Sequence, residues 1–181
     1  ETFAMNGIRL HEGYFDNSDN LILTHSGTNS VSRVNLTSRQ QTIVSDSVTG
    51  SGPSFVTVEG VAVDEADNIY VADSGLSGIF KINPVNGDRT IFDSGLSIRP
   101  FYKLIKGLRV DKNTLFFIDV SGIGGVNVFR INISTGTRNQ ISSIKNLGPA
   151  PGPYTQLSIS SNEDFVIVGH SEYRSGPGIT V

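Results

Sequence analysis

The sequence predicts an all-β protein, and three observations support this fold class. A pattern of about 47 residues recurs along the 181-residue chain. Within each copy, short runs rich in β-branched and aromatic residues are separated by Gly, Asn, Asp, Ser or Pro, as in strands joined by tight turns. No window of the chain shows an apolar repeat with the period of a helix.

Three short markers define the repeat. The dipeptides Glu12-Gly13, Glu59-Gly60 and Lys106-Gly107 lie 47 residues apart. Each copy then contains a Ser-Gly pair, followed by a basic residue, an apolar residue and Asn, as in Lys81-Ile82-Asn83. A fourth copy starts near Leu157 and ends before its own third marker. This order predicts one structural unit repeated along the chain.

The second copy indicates what one unit builds. Its apolar runs predict strands at 60–63, 69–72, 78–82 and 89–92, and the linkers contain the Asp, Asn and Gly residues that suit hairpins. Four antiparallel strands in such a repeat form the unit of a β-propeller blade. Because one blade cannot bury both of its faces, we expect neighbouring blades to stack around an axis.

We therefore expect a single partial propeller domain over residues 1–181, with about three and a half blades. The predicted blades are 12–58, 59–105, 106–156 and the incomplete 157–181. An open arc would leave sheet edges and blade faces in water. We expect these residues to belong to a longer chain, or another copy of the chain to complete the ring.

Composition narrows the classes of partner. The net charge is −3, the pI is about 5.5, and Lys and Arg form no cluster, which argues against a nucleic-acid partner. No apolar stretch reaches the roughly 18 residues of a membrane-spanning helix. The chain has no cysteine, which excludes disulfides and thiolate chemistry from these residues.

Residues 59–95 resemble the NHL-repeat and SMP-30/gluconolactonase-like group of β-propellers, in particular its secreted bacterial members. The resemblance rests on "GVAVDEADNIYVADSG" followed by "IFKINPVNGDRTI", and it extends less closely over 12–48 and 106–142. It implies a ring of six blades, of which this chain supplies about three and a half. It also implies an extracellular or periplasmic location.

The same resemblance implies a possible metal site. SMP-30-like proteins are metal-dependent lactonases or related hydrolases, in which Glu, Asn and Asp near the axis hold a divalent cation such as Ca²⁺, Mg²⁺ or Mn²⁺. Glu12 is most similar to such a ligand, and Glu59 is expected at the equivalent place in the next copy. Lys106 takes the third place, where its charge would repel a metal ion. We therefore expect no cofactor unless the chain is a hydrolase.

The acidic residues of the opening motif of each copy are predicted to be structural. A carboxylate repeated in blade after blade is more often a turn cap that accepts backbone N–H groups than a catalyst. No catalytic residue is assigned for this reason. The recurring residues are Asp64, Asp73, Asp111 and Asp119, with Asp16 and His25 near the corresponding places of the first copy.

The three histidines are His11, His25 and His170, and they have no metal-binding spacing. His11 is predicted either to reach the channel or to lie exposed at a blade edge, and the other two to satisfy loop hydrogen bonds. N-glycosylation sequons begin at Asn35 and Asn132, where the third marker of each copy meets a turn.

A cationic and aromatic cluster marks the connector 93–105, between the second and third copies. It consists of Arg99, Phe101, Tyr102 and Lys103. Loops on a rigid scaffold commonly carry binding sites, so these four residues are the predicted binding surface. Packing of the Phe101 ring between blades is the alternative use.

Three functions stay open at this point. The favoured one is a non-catalytic propeller that presents its loops or its channel to a protein or glycan partner. The second is a metal-dependent lactonase-like hydrolase that uses Glu12. The third is a structural repeat module of a larger extracellular protein or assembly.

Overall fold

The computed structural model describes residues 10–94, 105–121, 125–145, 155–159, 166–171 and 177–180. These residues form fifteen strands in four antiparallel sheets, and no helix occurs among them. The strands are β1 (Leu10–Phe15), β2 (Leu21–His25), β3 (Ser30–Val34), β4 (Gln41–Ser45), β5 (Val58–Val63), β6 (Ile69–Asp73), β7 (Gly78–Ile82), β8 (Arg89–Asp93), β9 (Ile105–Asp111), β10 (Thr114–Ser121), β11 (Gly125–Asn132), β12 (Arg138–Lys145), β13 (Thr155–Ile159), β14 (Val166–Ser171) and β15 (Pro177–Thr180).

Each sheet consists of strands that are consecutive in the chain. Three sheets contain four strands, in the orders β1-β2-β3-β4, β5-β6-β7-β8 and β9-β10-β11-β12, and the last is β13-β14-β15. Each is an antiparallel meander, which is the connectivity of a propeller blade. The prediction of an all-β chain with three four-stranded blades and a partial fourth is confirmed. We call the sheets blades 1 to 4 in chain order.

The first strands of neighbouring blades lie against one another. Strand β1 contacts β5, β5 contacts β9, and β9 contacts β13. These first strands therefore form the inner side of the arc. Side chains from different blades can meet there.

Blade 2 is buried on both faces, and the alternation of its strand residues explains why. In β6, Ile69 and Val71 join the apolar cluster shared with blade 1, whereas Tyr70 and Ala72 join the cluster shared with blade 3. Successive strand residues point to opposite faces of a sheet. Two separate cores, one on each side of blade 2, thus hold the three blades together.

The recurring aspartates hold the first hairpin of blades 1 and 2, as predicted. Asp64 Oδ1 accepts the backbone N–H groups of Ala66 and Asn68, each at 2.9 Å. Asp16 accepts the corresponding two N–H groups in blade 1. These carboxylates serve the turns of the scaffold.

The Asn of the third marker begins the turn between the third and fourth strands of each blade. The backbone carbonyls of Asn35, Asn83 and Asn132 each accept the N–H of the residue four positions later. Their side-chain Oδ1 atoms accept further backbone N–H groups inside the turn. Both sequon asparagines therefore have a structural use.

A buried arginine holds the connector between blades 1 and 2. Arg89, the first residue of β8, is 5% exposed. Its Nη1 donates to Ser45 Oγ at 2.6 Å and to the carbonyls of Asp46 and Thr49 at 2.7 and 3.1 Å. Its Nε donates to the carbonyl of Pro53 at 2.9 Å. The connector is thereby fixed to the outer strand of blade 2.

Candidate functional site

Titratable side chains from three blades meet on the inner strands. Strand β1 supplies His11 and Glu12, β5 supplies Glu59, and β9 supplies Arg109. We call these four residues the inner-strand cluster. Within the described residues, titratable groups from three blades come together in this cluster.

Glu12 reaches past blade 2 to an arginine of blade 3. Its Oε1 lies 2.7 Å from Arg109 Nη1, and the same nitrogen donates to the carbonyl of Leu108 at 2.6 Å. The Arg109 guanidinium also lies 5.8 Å from the ring centre of Tyr14, whose hydroxyl donates to the carbonyl of Val110 at 3.4 Å. Blades 1 and 3 are thus joined directly, across the inner strand of blade 2.

This crossing is possible because β5 carries small residues where the side chains pass. A Cβ atom placed on Gly60 would lie 2.8 Å from Glu12 Oε2 and 3.3 Å from the Leu108 nitrogen. The glycine therefore leaves room for the Glu12 carboxylate above the backbone of blade 2.

The strand register corrects one prediction. Leu10 pairs with His25 as Val58 pairs with Asp73, and β1 and β5 each have a bulge directly after that pair. Equivalent residues of blades 1 and 2 are thus 48 apart, so His11 corresponds to Glu59. The prediction that Glu59 occupies the place of Glu12 is wrong, because the hairpins and bulges fix the register and the shared Glu-Gly dipeptide does not.

Lys106 does occupy the place of Glu59 in blade 3. Ile105 pairs with Asp119, as Val58 pairs with Asp73. The next residue of each strand is then Lys106 or Glu59. The equivalent place in the three blades therefore carries an imidazole, a carboxylate and an ammonium group.

The environment of Glu12 acts on the pKa of its carboxyl group in two opposing directions. Burial raises the pKa of the Glu12 carboxyl above its ordinary value of 4.5, whereas the hydrogen bond and charge of Arg109 and the N–H of Val61 oppose that rise. The net shift is upward, so desolvation outweighs the arginine.

Glu59 is held by groups from its own blade and from blade 1. Its Oε2 lies 2.7 Å from His11 Nε2, and its Oε1 accepts a hydrogen bond from Ser74 Oγ at 3.1 Å. Thr24 Oγ1 accepts the Glu12 N–H at 3.2 Å and donates to the Glu59 carbonyl at 2.6 Å. This hydroxyl fixes the two strands that carry the carboxylates.

The described residues of the cluster do not by themselves fit a divalent cation. Among them, no group of three or more His, Asp or Glu side chains could hold a metal ion. Each carboxylate instead contacts a side chain of the chain itself, Arg109 for Glu12 and His11 for Glu59. Metal binding by Glu12 and Glu59 stays a prediction.

No sequence motif marks Arg109, Thr24 or Ser74 as part of a site. Arg109 could be found only from its position in the repeat. The strand register makes it equivalent to Tyr14 in blade 1 and Ala62 in blade 2, so blade 3 has a charged residue where the other two blades have uncharged ones. The two hydroxyl residues gave no such signal, because Ser and Thr are common throughout the chain.

The predicted connector surface lies elsewhere. Arg99, Phe101, Tyr102 and Lys103 fall in 95–104, outside the described residues. Their role in binding stays a prediction. The side chains of Lys106 and His170 are likewise outside the description.

His25 differs from its prediction. Its Nε2 lies 2.6 Å from Ser32 Oγ, a residue of β3 in the same blade, so it bonds a strand and not a loop. The side chain is 1% exposed, and burial lowers its pKa, which favours the neutral ring. The two alternatives for His11 were a place in the channel and an exposed place at a blade edge. Its side chain combines them, because it is partly exposed and also contacts Glu59 of the inner strand β5.

Replacing Gly60 by alanine tests the crossing of Glu12 over blade 2. The new methyl group would push the Glu12 carboxylate away from Arg109, and we expect the free energy of unfolding to fall by about 1–2 kcal/mol. Urea denaturation measures it. In a Glu12→Ala background the same substitution should cost clearly less, and an equal cost in both backgrounds would contradict the crossing.

The buried carboxyl group of Asp119 is expected to make the stability of the fold depend on pH. Burial raises the pKa of its carboxyl from 3.8 to about 7, against an opposing hydrogen bond from Asn127. Between these two pH values the native state keeps a proton that the unfolded chain has lost, so stability falls as pH rises through this interval.

Asp119→Asn should therefore be more stable than the unsubstituted chain above about pH 7, by roughly 1–3 kcal/mol, and the gain should vanish at acidic pH. Urea unfolding from about pH 4 to about pH 8 measures both proteins. A difference that stays constant over this range would contradict the raised pKa.

Comparison with known proteins supports the fold. No family model and no curated protein matches the chain. A chain of the nidogen/laminin complex matches with a TM-score of 0.69 and 16% identity, over 90% of this chain and 56% of that one. A gluconolactonase from Xanthomonas campestris matches with a TM-score of 0.70 and 12% identity, over 95% of this chain and 57% of that one.

A third match is the extracellular domain of a putative hybrid two-component system from B. thetaiotaomicron. Its TM-score is 0.57 at 17% identity, and the match covers 94% of this chain and 20% of that one. At such identities the likeness shows the fold alone. The chain thus has a β-propeller fold. It spans little more than half of the first two proteins.

Among the described residues, which form strands and turns, there is no candidate for a membrane-spanning helix.

Proposed function

We propose that this chain is part of a non-catalytic β-propeller that binds a protein or a glycan outside the cell or in the periplasm. The observation that carries the proposal is the ion pair between Glu12 and Arg109, which joins blade 1 to blade 3. A carboxylate used in this way holds the inner strands together. The outer surfaces and loops of the blades then bind the protein or glycan partner.

Two further observations support this proposal. Glu59 is engaged by His11 and Ser74 in a similar manner. One of the similar structures belongs to a complex of two proteins, and another is an extracellular domain. A structural repeat module of a larger assembly would share these features and differs only in having no ligand of its own.

The second candidate is a metal-dependent lactonase-like hydrolase. It is favoured by the presence of Glu12 and Glu59 on neighbouring inner strands, and by the similarity in fold to a gluconolactonase. In that case Glu12 would have to leave Arg109 and join oxygen or amide ligands from blades beyond the described residues.

A binding screen with a chelator separates the two candidates. The 181-residue chain is applied to a glycan array and to a cross-linking pull-down, with and without EDTA, and is assayed on a panel of lactones. We expect saturable binding that persists in EDTA and in Glu12→Gln, and no turnover. Lactone hydrolysis that requires a divalent cation and is lost in Glu12→Gln would overturn the proposal in favour of the hydrolase.

A further inference from the structure

We propose that a polar hollow on blade 3 binds an anionic oxygen group, the carboxylate or sulfate of an acidic glycan. The hollow has a volume of about 380 Å³. It lies where β10 and β11 meet the turn before β12. Its lining residues are Thr114, Arg130, Asn132, Thr135, Thr137 and Asn139. This site deepens the proposed binding function and rests on it for its glycan ligand.

The lining has the chemistry of an anion-binding site. Arg130 is the single charged residue of the described lining, and the other five residues contribute hydroxyl and amide groups. A guanidinium binds a carboxylate or sulfate through paired N–H donors, and hydroxyls and amides can donate to the remaining oxygens. Among the described residues, no carboxylate lines the hollow and competes for Arg130.

Comparison of the blades shows that Arg130 differs from its equivalents. It pairs across the strands with Phe116, as Lys81 pairs with Tyr70 and Arg33 pairs with Ile22. The three basic residues therefore occupy the same place in successive blades.

The two equivalents are already engaged within their blades. Arg33 Nε lies 3.0 Å from Asp16 Oδ2, and Lys81 Nζ lies 5.8 Å from the ring centre of Tyr70. Arg130 makes no ion pair, hydrogen bond or ring contact with the described residues. Its guanidinium is available to a ligand.

A shorter first hairpin explains this difference. In blade 1 a loop over 16–20 places Asp16 beside the basic residue. In blade 3 Asp111 is part of β9 and pairs directly with Thr114, so the turn is reduced to Lys112 and Asn113. Asp111 is not among the described residues that line the hollow, and Lys112, in the two-residue turn before Thr114, is exposed.

The polar floor of the hollow is held in place before any ligand arrives. Asn132 Oδ1 accepts the Thr135 N–H at 2.9 Å, and the hydroxyls of Thr135 and Thr137 lie 2.9 Å apart. These bonds order the turn that lines the hollow, and a site that is already ordered loses less entropy on binding.

An NMR titration of the 181-residue chain tests the site. The probes are a glucuronate oligosaccharide, a sulfated oligosaccharide, inorganic sulfate and an uncharged glucose oligosaccharide. We expect saturable shifts of the Thr135 and Thr137 amides with the three anions only. Affinity should fall about tenfold in Arg130→Gln and stay unchanged in Lys81→Gln, the equivalent position of blade 2. The relative affinities of inorganic sulfate and the oligosaccharides identify the source of the anion.

Three results would overturn the inference: no saturable shift at the hollow with any anion, undiminished affinity in Arg130→Gln, or equal binding of the uncharged oligosaccharide. A glycan that binds but shifts other residues would remove this site and leave the proposed function standing. Absence of any glycan or protein ligand in the binding screen would remove the proposed function, whereas sulfate at the hollow would still establish the anion site.

Discussion

Substituting Gly87 by alanine is expected to destabilise the chain by more than about 3 kcal/mol, one of the largest effects of any single substitution here. Gly87 has a positive φ of 76°, and a Cβ on it would lie 2.1 Å from the carbonyl oxygen of Val44 in blade 1. The neighbouring atom belongs to the backbone and cannot move aside cheaply. Blades 1 and 2 would have to separate, and with them the connector that Arg89 holds.

Gly136 is the matched control. It occupies the same turn of blade 3, with a φ of 69°, and a Cβ on it would meet nothing within 4 Å. Gly136→Ala should thus cost only the strain of a left-handed alanine, about 1–2 kcal/mol. In blade 1 the turn already carries Arg39, with a φ of 60°. Equal losses for the two glycine variants in urea denaturation would contradict the close approach of the blades.

Asp73→Ala is expected to cost about 2–4 kcal/mol, because it would remove a buried carboxylate and leave three partly buried backbone N–H groups without their acceptor. Asp73 is 0% exposed. Its Oδ2 accepts the Val56 N–H at 2.7 Å, and its Oδ1 accepts those of Thr57 and Leu76 at 3.0 Å each. The carboxylate thus joins the connector before β5 to the turn after β6.

The conservative variant Asp73→Asn separates the contribution of the acceptors from that of the side-chain volume. An amide keeps one acceptor oxygen and turns a donor towards another N–H, so we expect a loss smaller than that of alanine but still above about 1 kcal/mol. Thermal and urea unfolding monitored by circular dichroism measure both variants. A neutral effect of Asp73→Ala would contradict the structural role of this aspartate.

The fold could be predicted closely from the sequence, because its signals are local. The run of alternating residues in the second copy predicted strands at 60–63 and 69–72, and the observed strands are Val58–Val63 and Ile69–Asp73. Hairpin residues between the runs marked where each strand ends. Strand pairing between neighbours in sequence needs no long-range information.

The inner-strand cluster could not be predicted in the same way. Glu12 and Arg109 are 97 residues apart, and their contact depends on the side-by-side placement of β1, β5 and β9. The Glu-Gly dipeptide also suggested a register one residue away from the one that the bulges impose. In the sequence Gly60 is one of the repeat markers, whereas its structural importance is the space that it leaves for Glu12.

The ion pair between Glu12 and Arg109 bears on function because it occupies a carboxylate that could otherwise bind a metal ion. A carboxylate near the axis of a propeller is a candidate metal ligand when nothing else contacts it. Glu12 has an arginine partner from another blade, so a cation would have to displace that arginine before binding. The proposed binding function therefore depends on whether Glu12 and Arg109 are coupled in the folded chain.

A double-mutant cycle at Glu12 and Arg109, measured by urea unfolding with and without Ca²⁺ or Mn²⁺, tests this claim most directly. The variants are Glu12→Gln, Arg109→Gln and the combination of both. We predict a favourable coupling of about 1 kcal/mol or more that does not change when either cation is added. Absence of coupling, together with a cation-induced gain in stability that Glu12→Gln abolishes, would contradict it and assign Glu12 to a metal site.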